Sequence, residues 1–287
     1  QPKGWTATVA PMLALLACVV YCLNGELLQA LQRHSAPGER SASVGLNLLL
    51  CHLGGLTFSP WMCLDFGRVN PSHSRVSVAS SISAWLACRP RTAALLFAWL
   101  LMGYNYAWLS SSRFLSLGVT NALFQTSVAM VYAASVPLFG EPLTALRSVG
   151  VGLMLAGPAL ACGLVGPMPA EAFAAATTTS APGPSGAVGL TAGASLALMA
   201  AVGFAAYQVL FRHVFGHLKQ DVRFLAFFSA WVSMWHLLTV LPSLYLADAL
   251  GKERLVWPSG PTMIAGTAVS AILASSVNAL YLCIALW

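Results

Sequence analysis

Long apolar runs, broken by short polar or Pro- and Gly-rich stretches, set the pattern of this chain. The runs are continuous rather than alternating, so they predict helices and not the strands of a barrel. Eight candidate spans follow, at roughly 7–30, 44–64, 92–109, 119–139, 146–165, 187–211, 223–247 and 262–287. A bilayer crossing takes roughly 20 helical residues at about 1.5 Å each, which these runs can supply. Between the second and third spans, 67–91 carries Arg68, Arg75, Arg89 and Arg91 among many serines and reads as an exposed loop. Between the fifth and sixth, 166–186 holds Pro167, Pro169, Pro182 and Pro184 and reads as a flexible linker.

Composition sharpens this into an all-α integral membrane protein. Of the 287 residues, 58% are hydrophobic and 8% charged, and the mean hydropathy is +0.76. A soluble domain carries about 25% charged residues, so this chain cannot keep a soluble surface. The net charge of +6 sits between the spans, where it sets orientation rather than nucleic-acid binding. With the N-terminus in the cytosol, cytosolic loops hold nine of the basic residues and the opposite side five. That bias predicts an inward N-terminus. The membrane itself is left open between an endomembrane, such as Golgi or vacuole, and the plasma membrane. The seven cysteines form no CxxC pair and read as small buried hydrophobes.

An internal repeat appears on aligning the first span with the sixth. Gln29-Ala-Leu-Gln-Arg-His34 matches Gln208-Val-Leu-Phe-Arg-His213 at an offset of 179. A shift to 173 sets Tyr104-Asn105 to Leu109 beside Val277-Asn278 to Leu282. Five spans precede the second copy. An odd number means the copies cross in opposite directions, as in inverted-repeat transporters. The expected organisation is a single membrane domain over 1–287. Its first five-helix half is 7–166, its linker 167–186, and its second half 187–287 is incomplete. On this reading two further helices lie beyond Trp287.

The hairpin between the fourth and fifth spans carries a family resemblance. Its markers are Pro137, Gly140, Glu141, Leu143, Thr144, Gly150, Gly152 and Gly157. The pattern resembles the EamA-type signature of the drug/metabolite transporter superfamily. Three shorter stretches, Tyr104 to Leu109, Leu117 to Phe124 and Ala205 to Arg212, look most like solute carrier family 35, subgroup F. The resemblance implies a ten-helix inverted-repeat transporter fold, of which about eight helices are present here. It also implies transmembrane transport of a small polar organic solute by alternating access, the solute being a vitamin, a nucleotide-related compound or another metabolite. A nucleotide-sugar antiporter of the same superfamily is an alternative. An intramembrane enzyme or a seven-helix receptor is an alternative of another class, but no catalytic constellation occurs at membrane depth, and no P-loop, HExxH or dinucleotide fingerprint is present. No enzyme activity, cofactor, metal or nucleic acid is expected. The partners expected are the solute and membrane lipids, with a homodimer also open.

Polar groups at membrane depth are costly and mark pathways or helix contacts. Asn121, Gln125, Val128 and Tyr132 recur at helical spacing on one face. Asn105 and Asn278 are paired by the repeat, with Tyr104 and Tyr281 offering aromatic surface beside them. These are the candidate substrate-binding residues, Asn105, Asn121, Gln125, Asn278, Tyr104, Tyr132 and Tyr281. The same amides also suit helix–helix hydrogen bonds. Glu26 and His236 are candidate coupling groups, although Glu26 also suits a place in the headgroup layer. Glu141 reads as a turn and gate residue. Gly150, Gly152 and Gly157, and the row Gly193, Ala197, Ala201 and Ala205, are expected to permit close packing.

Overall fold

A computed structural model of the chain describes residues 43–63, 89–161, 187–216, 221–252 and 254–285, with 12, 16, 19–20, 23–27, 30–31, 86 and 218. The linker 166–186 and most of the loop 67–91 lie outside the described residues.

Among the described residues the secondary structure is helical and no strand forms. The elements are α1 (Val44–Leu53), α2 (Pro90–Ser111), α3 (Leu117–Phe124), α4 (Thr126–Phe139), α5 (Ala145–Ala161), α6 (Ala187–Phe215), α7 (Val222–Trp235), α8 (Leu241–Ala249) and α9 (Pro261–Ala285). Among the described residues four continuous helical segments are long and apolar enough to cross a membrane, Pro90–Ser111, Gly118–Phe139, Gly189–Phe215 and Arg223–Ala249. Shorter apolar helices occupy Val44–Leu53 and Pro261–Ser276. Helix is the economical choice here, because every interior backbone group is satisfied within its own segment. The protein is an integral, multi-pass membrane protein.

Helix ends carry side-chain caps. Ser43 accepts from the Leu46 N–H, Ser116 from the Val119 N–H, and Asp221 from the N–H groups of Arg223 and Phe224. Gly140 ends α4 in the left-handed region at φ 64, donating its N–H to the Val136 carbonyl. Residues 141–144 then lead into α5, and α4 and α5 pack together as the expected hairpin.

The chain divides into two compact units, one formed by 1–99 with 211–287 and the other by 100–210. In the first, α1 packs against α9 and α8, while α7 packs against the 3₁₀ segment Gly54–Cys63. Its core is aromatic: Phe97, Phe211, Phe215, Phe224 and Phe228 lie with ring centroids 5.1–6.1 Å apart, several edge to face. In the second, α5 packs against α3 and α4. There α6 buries Gly193, Ala197, Ala200, Ala201 and Ala205 and exposes Leu198, Met199 and Val202. Small residues inside and bulky apolar ones outside are what a lipid-facing helix requires.

The structure refines these expectations in detail. The span at 44–64 is not one α-helix: at Gly54 it tightens into a 3₁₀ helix that runs to Cys63. Gly54, Gly55 and Pro60 weaken α geometry there, and the Thr57 hydroxyl donates to the Gly54 carbonyl. The span at 119–139 forms as expected within the segment Gly118–Phe139, with Gln125, itself in helical conformation at φ −63 and ψ −17, as the joint between α3 and α4. The Thr126 hydroxyl, donating to the Leu123 carbonyl, sits at this joint. Finally, Gly150 and Gly152 are exposed, with open space where a Cβ would stand, so no close packing forms at them among the described residues. The row on α6, by contrast, is buried.

Candidate functional site

In the unit formed by 100–210, the polar and aromatic candidates gather around α2. Tyr104 is buried against Phe124 (6.4 Å, stacked), Phe204 (5.4 Å, edge-on) and Tyr207 (6.0 Å, edge-on). Gly203 makes this possible, because a Cβ there would lie 2.8 Å from the Tyr104 Cβ. One turn further along α2, the Trp108 indole N–H donates to Asn121 Oδ1 at 3.0 Å. Asn105 donates to its own helix, at the Leu101 carbonyl, 2.9 Å away. Asn121 therefore joins α3 to α2 while its amide nitrogen remains a donor. Gln125 stands exposed at the joint of α3 and α4. Tyr132 is half-buried on α4, and its hydroxyl is enclosed without a hydrogen-bond partner.

Beyond the α4 cap, Glu141 faces Arg147 at 3.5 Å across the hairpin turn. Arg147 is 54% exposed and Glu141 23%, so the pair is solvated and contributes little stability.

The other unit holds a buried polar seam that sequence reasoning passed over. Ser270 of α9 donates to Asn24 Oδ1 at 2.7 Å, and Cys51 Sγ of α1 lies 3.5 Å from the Ser270 hydroxyl. Asn47, one turn before Cys51, is buried on the same helix, and Thr267 is buried one turn before Ser270. From sequence Cys51 reads only as a small buried hydrophobe, and Asn24 carries no signal of its own. The available signal was the recurrence of small polar residues at helical spacing, Asn47 with Cys51 and Thr267 with Ser270.

Beside the seam, His52 at the end of α1 stacks on His236, with ring centroids 4.9 Å apart and planes 14° from parallel. His236 is fully buried. It opens a π-helical turn, His236–Val240, inserted between α7 and α8. Thr239 donates to the Trp235 carbonyl at 2.7 Å and Ser243 to the Thr239 carbonyl at 2.6 Å. These bonds help occupy the carbonyls that the wider turn shifts. The Ser233 hydroxyl donates to the His52 carbonyl at 2.6 Å, tying α7 to α1. His236 was singled out from sequence alone, whereas its partner His52 was missed.

At one end of α7 the Trp235 indole N–H donates to the Arg91 carbonyl at 2.7 Å, and the Arg91 guanidinium lies 5.5 Å over the Trp231 ring. Glu26 is exposed. Asn278 and Tyr281 lie on the backbone of α9, but their side chains fall outside the described residues. A recess of about 550 Å³ opens instead at the loop after α8, lined by Asp248, Arg254, Leu255, Val256 and Trp257. Among the described residues no three His, Cys, Asp or Glu side chains gather to hold a metal.

Part of the chain is similar to curated bacterial proteins. It is 40% identical over 80 residues to a probable 4-amino-4-deoxy-L-arabinose-phosphoundecaprenol flippase subunit ArnF of Pseudomonas paraeruginosa, covering 26% of this chain and 58% of the relative. The same protein of Pseudomonas aeruginosa strain PAO1 is 39% identical over 80 residues, with the same shares. That of Pseudomonas fluorescens is 46% identical over 52 residues, 17% of this chain and 38% of the relative. The matched stretch thus spans a little over half the length of the first two relatives, 58%. No protein-family profile matches the chain. No solved structure matches it significantly.

Proposed function

We propose that the chain is a membrane transporter that carries a polar organic solute across the bilayer by alternating access. The observation that carries this reading is the stretch 40% identical to a flippase subunit, in a chain of long apolar helices. The hairpin closed by Gly140 and Glu141 supports it, as does the Gln-x-Leu-x-Arg-His repeat. In this reading the two halves, 7–166 and 187–287, are the inverted repeats of a ten-helix EamA-type fold resembling solute carrier family 35, subgroup F.

The proposed solute contacts are Asn105, Asn121, Gln125 and Asn278, with Tyr104, Tyr132 and Tyr281 as stacking surfaces. Amides supply both donors and acceptors and bury no net charge, which suits a neutral or zwitterionic group. Asn121 supports the reading best, since its oxygen is held by Trp108 and its nitrogen is aimed by that bond. Glu141 is the proposed gate, its ion pair with Arg147 bridging the hairpin turn. The relatives' names favour a second cargo, an amino sugar phosphate carried on a lipid, and their word "subunit" favours assembly with another chain.

Proteoliposomes holding the full-length protein separate the two cargoes. One arm follows uptake of radiolabelled vitamins, nucleosides and nucleotide sugars. The other follows exposure of a lipid-linked amino sugar phosphate to an impermeant amine reagent. Saturable uptake in the first arm supports a soluble solute, and faster exposure in the second supports a lipid-linked one. Rates equal to those of empty liposomes in both arms defeat the transporter reading.

A further inference from the structure

We propose that the recess after α8 binds the headgroup of an aminophospholipid, a lipid that carries a phosphate and a primary amine together. Such a site goes beyond the transporter reading and holds whichever cargo that reading favours.

Hydrogen bonds shape the loop around the recess. Gly251 turns the chain at the end of α8 in the left-handed region, at φ 65, and donates its N–H to the Asp248 carbonyl. The Lys252 N–H closes on the Ala247 carbonyl at 2.9 Å. Asp248 Oδ1 accepts the Leu255 N–H at 3.0 Å, so one carboxylate oxygen holds the loop. The Val256 carbonyl accepts the Ser43 N–H at 3.0 Å, which ties the far side of the loop to the start of α1. Glu253 lies outside the described residues. The recess of about 550 Å³ falls within the roughly 300–1,000 Å³ of small-molecule sites.

Its lining suits a dipolar group. Among the described residues, Asp248 and Arg254 line one recess without forming an ion pair with each other. A lone anion there would attract Arg254 and be repelled by Asp248, and a lone cation the reverse. A molecule bearing both charges meets each with its opposite. A guanidinium directs two N–H groups onto phosphate oxygens. The second oxygen of Asp248 can accept from an ammonium, which has three N–H donors, whereas a trimethylammonium has none.

Position points to a lipid. Asp248 stands at the end of the apolar segment Arg223–Ala249, where a span meets the headgroup layer. Lys252 is exposed on the same loop and adds positive charge there. Trp257 is exposed, an amphipathic ring of the kind that sits at headgroup level. Leu246 of α8 and Leu250 at its cap are four residues apart and exposed, giving acyl chains an apolar wall that leads to the recess.

The test uses the full chain in phosphatidylcholine nanodiscs doped with a photoactivatable phosphatidylethanolamine whose diazirine lies next to the headgroup. Labelled peptides are mapped by mass spectrometry. The expected result is labelling within 245–257 that unlabelled phosphatidylethanolamine competes away. Phosphatidylglycerol, which lacks the amine, should compete poorly. Arg254→Gln and Asp248→Asn should each cut the labelling by about fivefold to tenfold, the asparagine keeping an acceptor for the Leu255 N–H. Arg113→Gln removes an exposed cation of the other unit and should leave the labelling unchanged. Labelling spread evenly over the lipid-facing helices means bulk lipid only and overturns the proposal. Equal competition by phosphatidylglycerol means an anion site only and also overturns it, as does labelling indifferent to both recess variants. Should Asp248→Asn disrupt the loop, Arg254→Gln and the lipid competition decide. Labelling reports occupancy and not flux, so its failure leaves the transporter reading to the uptake assay.

Discussion

The imidazole of His236 lies flat against that of His52, 4.9 Å away across 184 positions of sequence. The Ser233 hydroxyl, three residues before His236, is bonded to the His52 carbonyl and fixes the same contact from the backbone side. Two helix ends are thus held together at a point where one of them widens into a π turn. Removing the hydroxyl without touching either ring isolates the backbone link. Ser233→Ala is expected to lower stability by about 1 kcal/mol, read as the thermal midpoint in detergent. An unchanged midpoint would mean that the stack holds the helices without it.

Close backbone approach makes a second prediction. A Cβ on Gly54 would lie 2.6 Å from the Ser275 Cβ and 3.0 Å from its Cα, atoms that cannot swing away. Gly54→Ala should therefore cost about 1–3 kcal/mol through displacement of α9. Gly150→Ala, on an open face, should cost almost nothing by this mechanism. Equal midpoints for the two variants would contradict the packing described here.

These contrasts mark what was legible in the sequence. Helix positions were, because each apolar run is local and its length is fixed by the bilayer. The Gly140 turn was legible for the same reason: a left-handed cap is a local need that glycine meets. The 3₁₀ segment was not, since apolar residues such as Leu56 and Phe58 look alike in either helix. Nor was the role of the glycines in the fifth span, because a small residue announces only that packing is allowed. The partner of His236 and the Asn24–Ser270–Cys51 seam were hidden for another reason. Their bonds join residues up to 246 positions apart, and a periodicity read within one span cannot pair them with residues of another.

The hairpin turn gives a third prediction. Gly140→Ala forces an L side chain to φ 64 and is expected to cost about 1–2 kcal/mol. Glu141→Gln leaves that backbone intact and removes only a solvated ion pair, so its effect on stability should be small. If Glu141 gates transport, Glu141→Gln alters the uptake rate at an unchanged thermal midpoint. An unaltered rate would remove it from the proposed gate.

Trp108 and Asn121 carry the fourth. Trp108→Phe keeps the aromatic packing but releases Asn121 Oδ1. Asn121→Leu removes the amide. Should Asn121 contact the solute, both variants weaken apparent affinity, Asn121→Leu by about 1–2 kcal/mol or roughly tenfold. Were the amide only a helix pin, both would lower the thermal midpoint while transport per folded molecule stayed constant.

Alternating access itself is tested most directly by counterflow. Proteoliposomes bearing the full-length protein are preloaded with the unlabelled cargo identified in the uptake assay, then given a trace of the labelled form outside. A carrier that exposes one site to each side in turn accumulates label transiently above its equilibrium level, and this account predicts that overshoot. Label that only rises monotonically to equilibrium, at a rate indifferent to preloading, would contradict it.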